Sequence, residues 1–199
     1  MIDATRTTTA LLDGLFDRAN HAAWAEFEAR YRPILFNFAK RLGLSDVDAA
    51  DAAQETLAHF AKGYAEGRYD RGRGRLRQWL IGIAKREIAK ARQSSVRHAA
   101  SRGESAIVEE PDDATLENAW DVERREFLLR EALDELRTTS RADDKTLEAF
   151  ELTTLRGMGA QEVAQTLGIS AHDVYLAKSR CLQKVKEIVQ RLTAAYEGE

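Results

Sequence analysis

The chain has 199 residues, 44% hydrophobic and 32% charged, with a net charge of −3. That is enough apolar material for one or two cored domains, and the overall charge does not by itself point to nucleic acid. A single cysteine, Cys181, excludes an internal disulfide framework, and no apolar run approaches the ~18 residues of a membrane span.

The N-terminus MIDATRTTTALL lacks the charged and apolar regions of a signal peptide, and the four histidines are scattered without metal-ligand spacing. A soluble, cytoplasmic protein without metal or other cofactor is expected, with no membrane association. Only two prolines interrupt long amphipathic runs, so the expected fold class is all-α.

The charge is unevenly placed. Arg68 to Arg97 holds ten Lys/Arg against Asp70 and Glu87, a local +8. Glu104 to Asn118 holds six acids and no base, a local −6. One basic surface and one acidic strand follow.

Residues 1–19 read as a tail with a short helix over 7–16, using Leu11, Leu12, Leu15 and Phe16. Asn20 is a cap for a strong helix in which Trp24, Phe27, Tyr31, Ile34, Leu35, Phe38 and Leu42 share one face. Pro33 inside it predicts a kink or the real helix start. Gly43 ends it, and Ser45 or Asp46 caps the next helix, which runs to about Lys62. Val47, Ala50, Leu57, Phe60 and Tyr64 are expected to face inward there. Asp48, Asp51, Gln54 and Glu55 lie on other faces, as a solvated acidic surface or a dock for a basic partner.

Residues 63–74 read as a loop that ends flexible and basic. From Leu76 a helix is predicted to about Gln93, buried through Leu80, Ile83, Ala84 and Ile88. Arg77, Lys85, Arg86, Lys90 and Arg92 project elsewhere, with Trp79 beside them. Cations pair with phosphates and a flat ring pairs with an unstacked base, so the set suits nucleic acid. A core role for Trp79 on a merely basic helix is the alternative. Residues 94–115 read as a flexible acidic linker. Its 22 residues could span about 75 Å, more than the ~34 Å of one DNA turn.

The second domain is expected over residues 116–199. Its first helix runs from about Leu116 to Arg137, with Trp120, Phe127, Leu128, Leu133 and Leu136 on its apolar face. A helix over 143–155 uses Leu147, Phe150, Leu152 and Leu155. Gln161 to Leu167 forms a short helix with Val163, Ala164 and Leu167 inward, and Gly168 supplies a left-handed turn. Ser170 caps a last helix that starts at Ala171 and buries Val174, Ala177, Cys181 and Leu182. Two helices across a Gly-containing turn read as a helix-turn-helix. The outward face of the second carries His172, Tyr175, Lys178, Ser179 and Arg180, which suit a major groove.

Several stretches resemble the sigma factors of RNA polymerase, and more narrowly the small extracytoplasmic-function (ECF) group of the sigma-70 family. Asp51, Ala52, Ala53, Gln54 and Glu55 resemble the D-x-x-Q-E element of the helix that docks on the polymerase β′ subunit. Tyr69, Asp70 and Gly74 to Leu80 (GRLRQWL) resemble the loop and helix start that engage the −10 element. VYLAKSRCLQKVKE, Val174 to Glu187, resembles the −35 recognition helix. Leu76 stands where these proteins often have an aromatic residue, and Lys85, Arg86 and Glu87 replace a segment that often contains Asn.

The resemblance implies two small helical domains, regions 2 and 4 of sigma, at residues 20–93 and 116–199. It implies no enzymatic activity. It implies that Asp48, Asp51, Gln54 and Glu55 bind core polymerase, and that Arg73, Arg75, Arg77, Trp79, Lys85, Arg86 and Lys90 bind the −10 DNA. There one base is flipped out and the strand is held open. Ser170, His172, Tyr175, Lys178, Ser179 and Arg180 are implied in −35 binding. Glu109, Glu110, Asp112 and Asp113 are implied to imitate nucleic acid inside the polymerase. The implied partners are core RNA polymerase, through β and β′, and promoter DNA, with an anti-sigma factor left open. Two other classes stand beside this reading. A one-component helix-turn-helix regulator with an N-terminal sensor or dimerisation domain leaves Arg68 to Arg97 unexplained. A metal-dependent hydrolase built on Asp48, Asp51 and Glu55 lacks a His-bearing motif or a second carboxylate helix.

Overall fold

The computed structural model describes residues 8–17, 19–70, 72, 74–101, 111–139 and 144–196. Among them every regular element is helical. These are α1 (Thr8–Gly14), α2 (His21–Arg41), α3 (Asp46–Ala65), α4 (Leu76–Ser101), α5 (Asp113–Thr139), α6 (Asp144–Phe150), α7 (Ala160–Leu167) and α8 (Ala171–Tyr196). A single π turn, Glu151–Leu155, continues α6. No described helix is long and apolar enough to cross a membrane.

The chain divides into two compact units. Among the described residues, one comprises those up to Phe127 together with Ala195 and Tyr196, and the other those within Leu128–Ala194.

In the first unit, Asn20 starts α2 by accepting from the Ala23 amide at 3.1 Å. The helix then runs through Pro33, which marks neither its start nor its end. Phe27 stacks on Phe60 of α3, centroids 4.3 Å apart and planes within 10°. Tyr31, Ile34 and Phe38 are fully buried beside them. Each such side chain contributes roughly 1.5–3 kcal/mol by leaving water, so α2 and α3 are held by this aromatic seam.

α3 buries Phe60 and Tyr64 as expected, with Leu57 half-buried, and departs from the expected phase only in its first turns. Val47 is 71% exposed and Ala50 is also outside, whereas Ala49, Ala52, Ala53 and Thr56 are buried. Small residues let the helix backbones approach closely, and that closeness outweighs the pull of one valine at the first turn.

Two boundaries also move. The helix expected to end near Gln93 continues to Ser101, since no Gly or Pro interrupts it after Gly82. α5 begins at Asp113 rather than near Leu116, because the Asp112 carboxylate accepts from the Thr115 amide at 2.7 Å and caps it. Residues 102–110, including Glu109 and Glu110, lie outside the described residues.

The first half of α5 belongs with the first unit. Trp120, expected on the apolar face of the second domain, is 0% exposed and its ring meets Phe38 edge-on at 5.7 Å, with Leu116 buried one turn before it. Arg41 of α2 reinforces this contact by donating to Glu123 at 2.5 Å and Glu126 at 3.2 Å.

The core of the second unit joins Ala149, Leu152, Val163, Ala164, Val174 and Ala177. α7 ends on Gly168 at φ 63°, where the left-handed turn is nearly free for glycine. Ile169 and Ser170 complete a three-residue turn into α8. Two expected core leucines are outside: Leu155 is 48% and Leu182 43% exposed. The π turn adds a residue per turn and rotates Leu155 out of phase. Leu182 sits one position past the Val174, Ala177, Cys181 and Val185 stripe.

Candidate nucleic-acid interface

The loop between α3 and α4 and the first turn of α4 build an open cleft of ≈ 280 Å³, lined by Arg68, Tyr69, Asp70, Gly74, Arg75, Gln78 and Trp79. Its floor is aromatic. Tyr69 stacks on Trp79 with centroids 5.2 Å apart and planes 17° apart, and Trp79 leans on Phe60 at 5.0 Å. Gly63 makes room for the indole: a Cβ there would lie 2.9 Å from Trp79 Cζ2. Trp79 is therefore half-buried, part core and part wall.

The loop is held by its own side chains. Asp70 accepts from the Gly72 amide at 2.8 Å, and Gln78 reaches back to the Arg75 amide at 3.4 Å, as the third residue of a capping box does. Arg75 is exposed at the rim, and Arg68 pairs with Glu66 at 2.8 Å. A flat floor with guanidinium groups at its edge matches one unstacked base and its phosphate. Tyr69 and Gln78 lie in the stretches expected to engage the −10 element, whereas Arg68 was not among the expected contacts.

The other basic residues of α4 separate onto different faces. Arg86 and Lys90 are exposed, and Lys90 donates to both Glu87 oxygens at 3.0 Å. Glu87 is buried and also 3.2 Å from His59. Arg77 and Lys85 face α5: Arg77 donates to Asp121 at 2.9 Å, and Lys85 to Asp113 at 3.0 Å. The beginning of α4 thus brings Arg75 and Trp79 together and leaves Arg77 and Lys85 engaged elsewhere. Arg73 lies outside the described residues.

On α3, Asp51, Gln54 and Glu55 are exposed, alongside Val47, Ala50 and Ala58. Asp48 instead belongs to the cap. Ser45 accepts from its amide at 3.1 Å and donates to its carboxylate at 2.7 Å.

In the second unit, α8 opens in the same way. Ser170 Oγ accepts from the Asp173 amide at 3.1 Å and donates to the Asp173 carboxylate at 2.7 Å. The Ser170 hydroxyl, then its backbone amide, hold the Asp173 carboxyl below its usual range. Ser170 is occupied as a cap. His172, Tyr175, Ser179 and Arg180 are exposed opposite the buried stripe, Tyr175 at 63%, while Lys178 is half-buried on the flank. Leu176 and Gln183 share the exposed face and were not anticipated. The Cys181 thiol is 1% exposed and its pKa is pushed up by burial. It is a core residue.

Residues 29–98 match the family model of sigma-70 region 2. No curated protein matches the chain. The matched segment contains all of α3, the aromatic cleft and the basic part of α4. The match links this segment to region 2 of the sigma-70 factors of transcription initiation. Within the sigma-70 region 2 segment, the exposed acids of α3 and the cleft are the two surfaces with distinct chemistry.

Proposed function

We propose that the chain is an ECF-type sigma factor, which recruits core RNA polymerase to specific promoters and helps open them. The observation that carries this is the cleft of Tyr69, Trp79, Arg68 and Arg75 inside the segment that matches sigma-70 region 2. A stacked floor with cations at the rim favours one base turned out of the duplex and disfavours the paired strand. On this reading the −10 non-template strand enters there, with Arg86 and Lys90 on its phosphates.

Asp51, Gln54 and Glu55 present acceptors to a basic surface of the β′ subunit, with Val47 and Ala50 adding apolar contact. The second unit reads the −35 duplex as a helix-turn-helix. α8 enters the major groove, and His172, Tyr175, Ser179 and Arg180 meet base edges and phosphates. Ser170 contributes by capping α8, and the helix N-terminus itself favours a phosphate.

Mixing the purified chain with core polymerase and a library of promoter fragments tests the proposal. Initiation from a defined subset that core alone ignores is the expected result. Tight sequence-specific binding without polymerase, and no initiation with it, favours a one-component regulator instead.

A further inference from the structure

α4 and the first half of α5 carry charged stripes of opposite sign at matched spacing. Arg77 and Lys85 are eight positions apart, and so are Asp113 and Asp121, with Glu117 midway. Eight residues of helix rise about 12 Å. The stripes pair in opposite directions. Lys85 meets Asp113 at 3.0 Å, and Arg77 meets Asp121 at 2.9 Å and Glu117 at 4.0 Å. Between the two cations Ile81 is 7% exposed, and the Arg77 side chain itself is only 18% exposed.

Ion pairs of this kind contribute little, about 0–1 kcal/mol each, so they do not hold α5 in place. Leu116 and Trp120 do, through Phe38, helped by Arg41 with Glu123. Once the apolar face is seated, the three carboxylates are intramolecular competitors at an effective concentration on the order of millimolar. A DNA strand must displace them to reach Arg77 and Lys85. It has the means, since each phosphate contact releases counterions.

We propose that the first half of α5, Asp113 to Phe127, is an autoinhibitory lid. Its carboxylates occupy two cations of the −10 surface and yield them when promoter DNA is engaged, while the apolar face of α5 stays seated. The lid rests on the reading of this chain as a sigma factor. It gives the weak pairs a purpose: they raise the threshold for stray single strands without blocking a strand that polymerase delivers.

Anisotropy of a labelled single-stranded oligonucleotide, with the full chain at low salt, tests the lid by a double-mutant cycle. Asp121→Asn with Glu117→Gln is expected to tighten binding two- to fivefold, and to steepen the salt dependence by about 0.7 per freed cation. In the Arg77→Ala background the same pair of substitutions is expected to change nothing, because no masked cation remains. Asp113→Asn, with and without Lys85→Ala, repeats the cycle at the other end of the stripe. Equal tightening in both backgrounds means general charge repulsion and overturns the lid, as does no tightening at all or no binding by any variant. Initiation by the wild-type chain with core polymerase is read separately. If it succeeds while the cycle fails, the lid alone is wrong. If it fails, the reading of function is wrong.

Discussion

Gly63 and Trp79 are in such close contact that a methyl group on the glycine would press to 2.9 Å from the indole Cζ2. A helix-breaking residue in the last turns of α3 thereby sets the tilt of a ring in α4. The ring in turn sets the floor on which Tyr69 stacks.

Gly63→Ala is expected to displace Trp79. Overpacking costs about 1–3 kcal/mol, and the better helix propensity of alanine returns up to ~1 kcal/mol, so the chain remains folded. Single-strand affinity should fall several-fold, with a shift in tryptophan emission. Unchanged affinity and emission mean that the indole position does not matter to the cleft.

Reversing charge at Asp51 and Glu55 (to Lys) is expected to weaken core-polymerase binding at least tenfold while leaving the melting temperature within a few degrees. Both side chains are exposed, and substitutions at such sites usually stay within ~0.5 kcal/mol. A pull-down with undiminished recovery of core contradicts the assignment.

Arg180→Ala should cost roughly 1–3 kcal/mol in −35 discrimination if the guanidinium makes a bidentate base contact. The comparison is promoter activity on matched and mutated −35 sequences. Equal loss on every sequence places Arg180 on a phosphate.

Ser170→Ala removes a cap and should destabilise the second unit by about 1 kcal/mol. The sign of the pH dependence follows from Asp173. Its folded pKa is depressed, first by the Ser170 hydroxyl. Its contribution is therefore present above the unfolded value, about 4, and is lost as pH falls through the folded value. Denaturant melts should show the gap between Ser170→Ala and the natural chain narrowing from pH 7 to pH 3. A gap that widens in acid rejects the coupling.

Much of this was readable from local signals. Asn20, Ser45, Gly168 and Ser170 mark helix ends because caps and left-handed turns depend on residues a few positions apart. The exposed stripe of His172, Tyr175 and Ser179 follows from helical period alone. Other features depend on distant partners. The first turns of α3 bury small residues, Ala49, Ala52 and Ala53, in place of Val47 and Ala50, and the value of small residues lies in what they allow to come close. Trp120 reads as part of the second domain's apolar face until Phe38 is opposite it. Arg77 and Lys85 look like free cations until α5 brings its acids alongside. No periodicity reports the Tyr69 stack, since Tyr69 lies in a loop.

Run-off transcription on a duplex promoter and on the same promoter with a pre-opened bubble, with core polymerase and either the natural chain or Trp79→Ala, tests the central claim most directly. The natural chain should initiate on both templates, and Trp79→Ala should fail on the duplex but recover on the bubble. Initiation by neither protein on either template, or equal activity of both proteins on the duplex, would contradict a strand-opening role for this cleft.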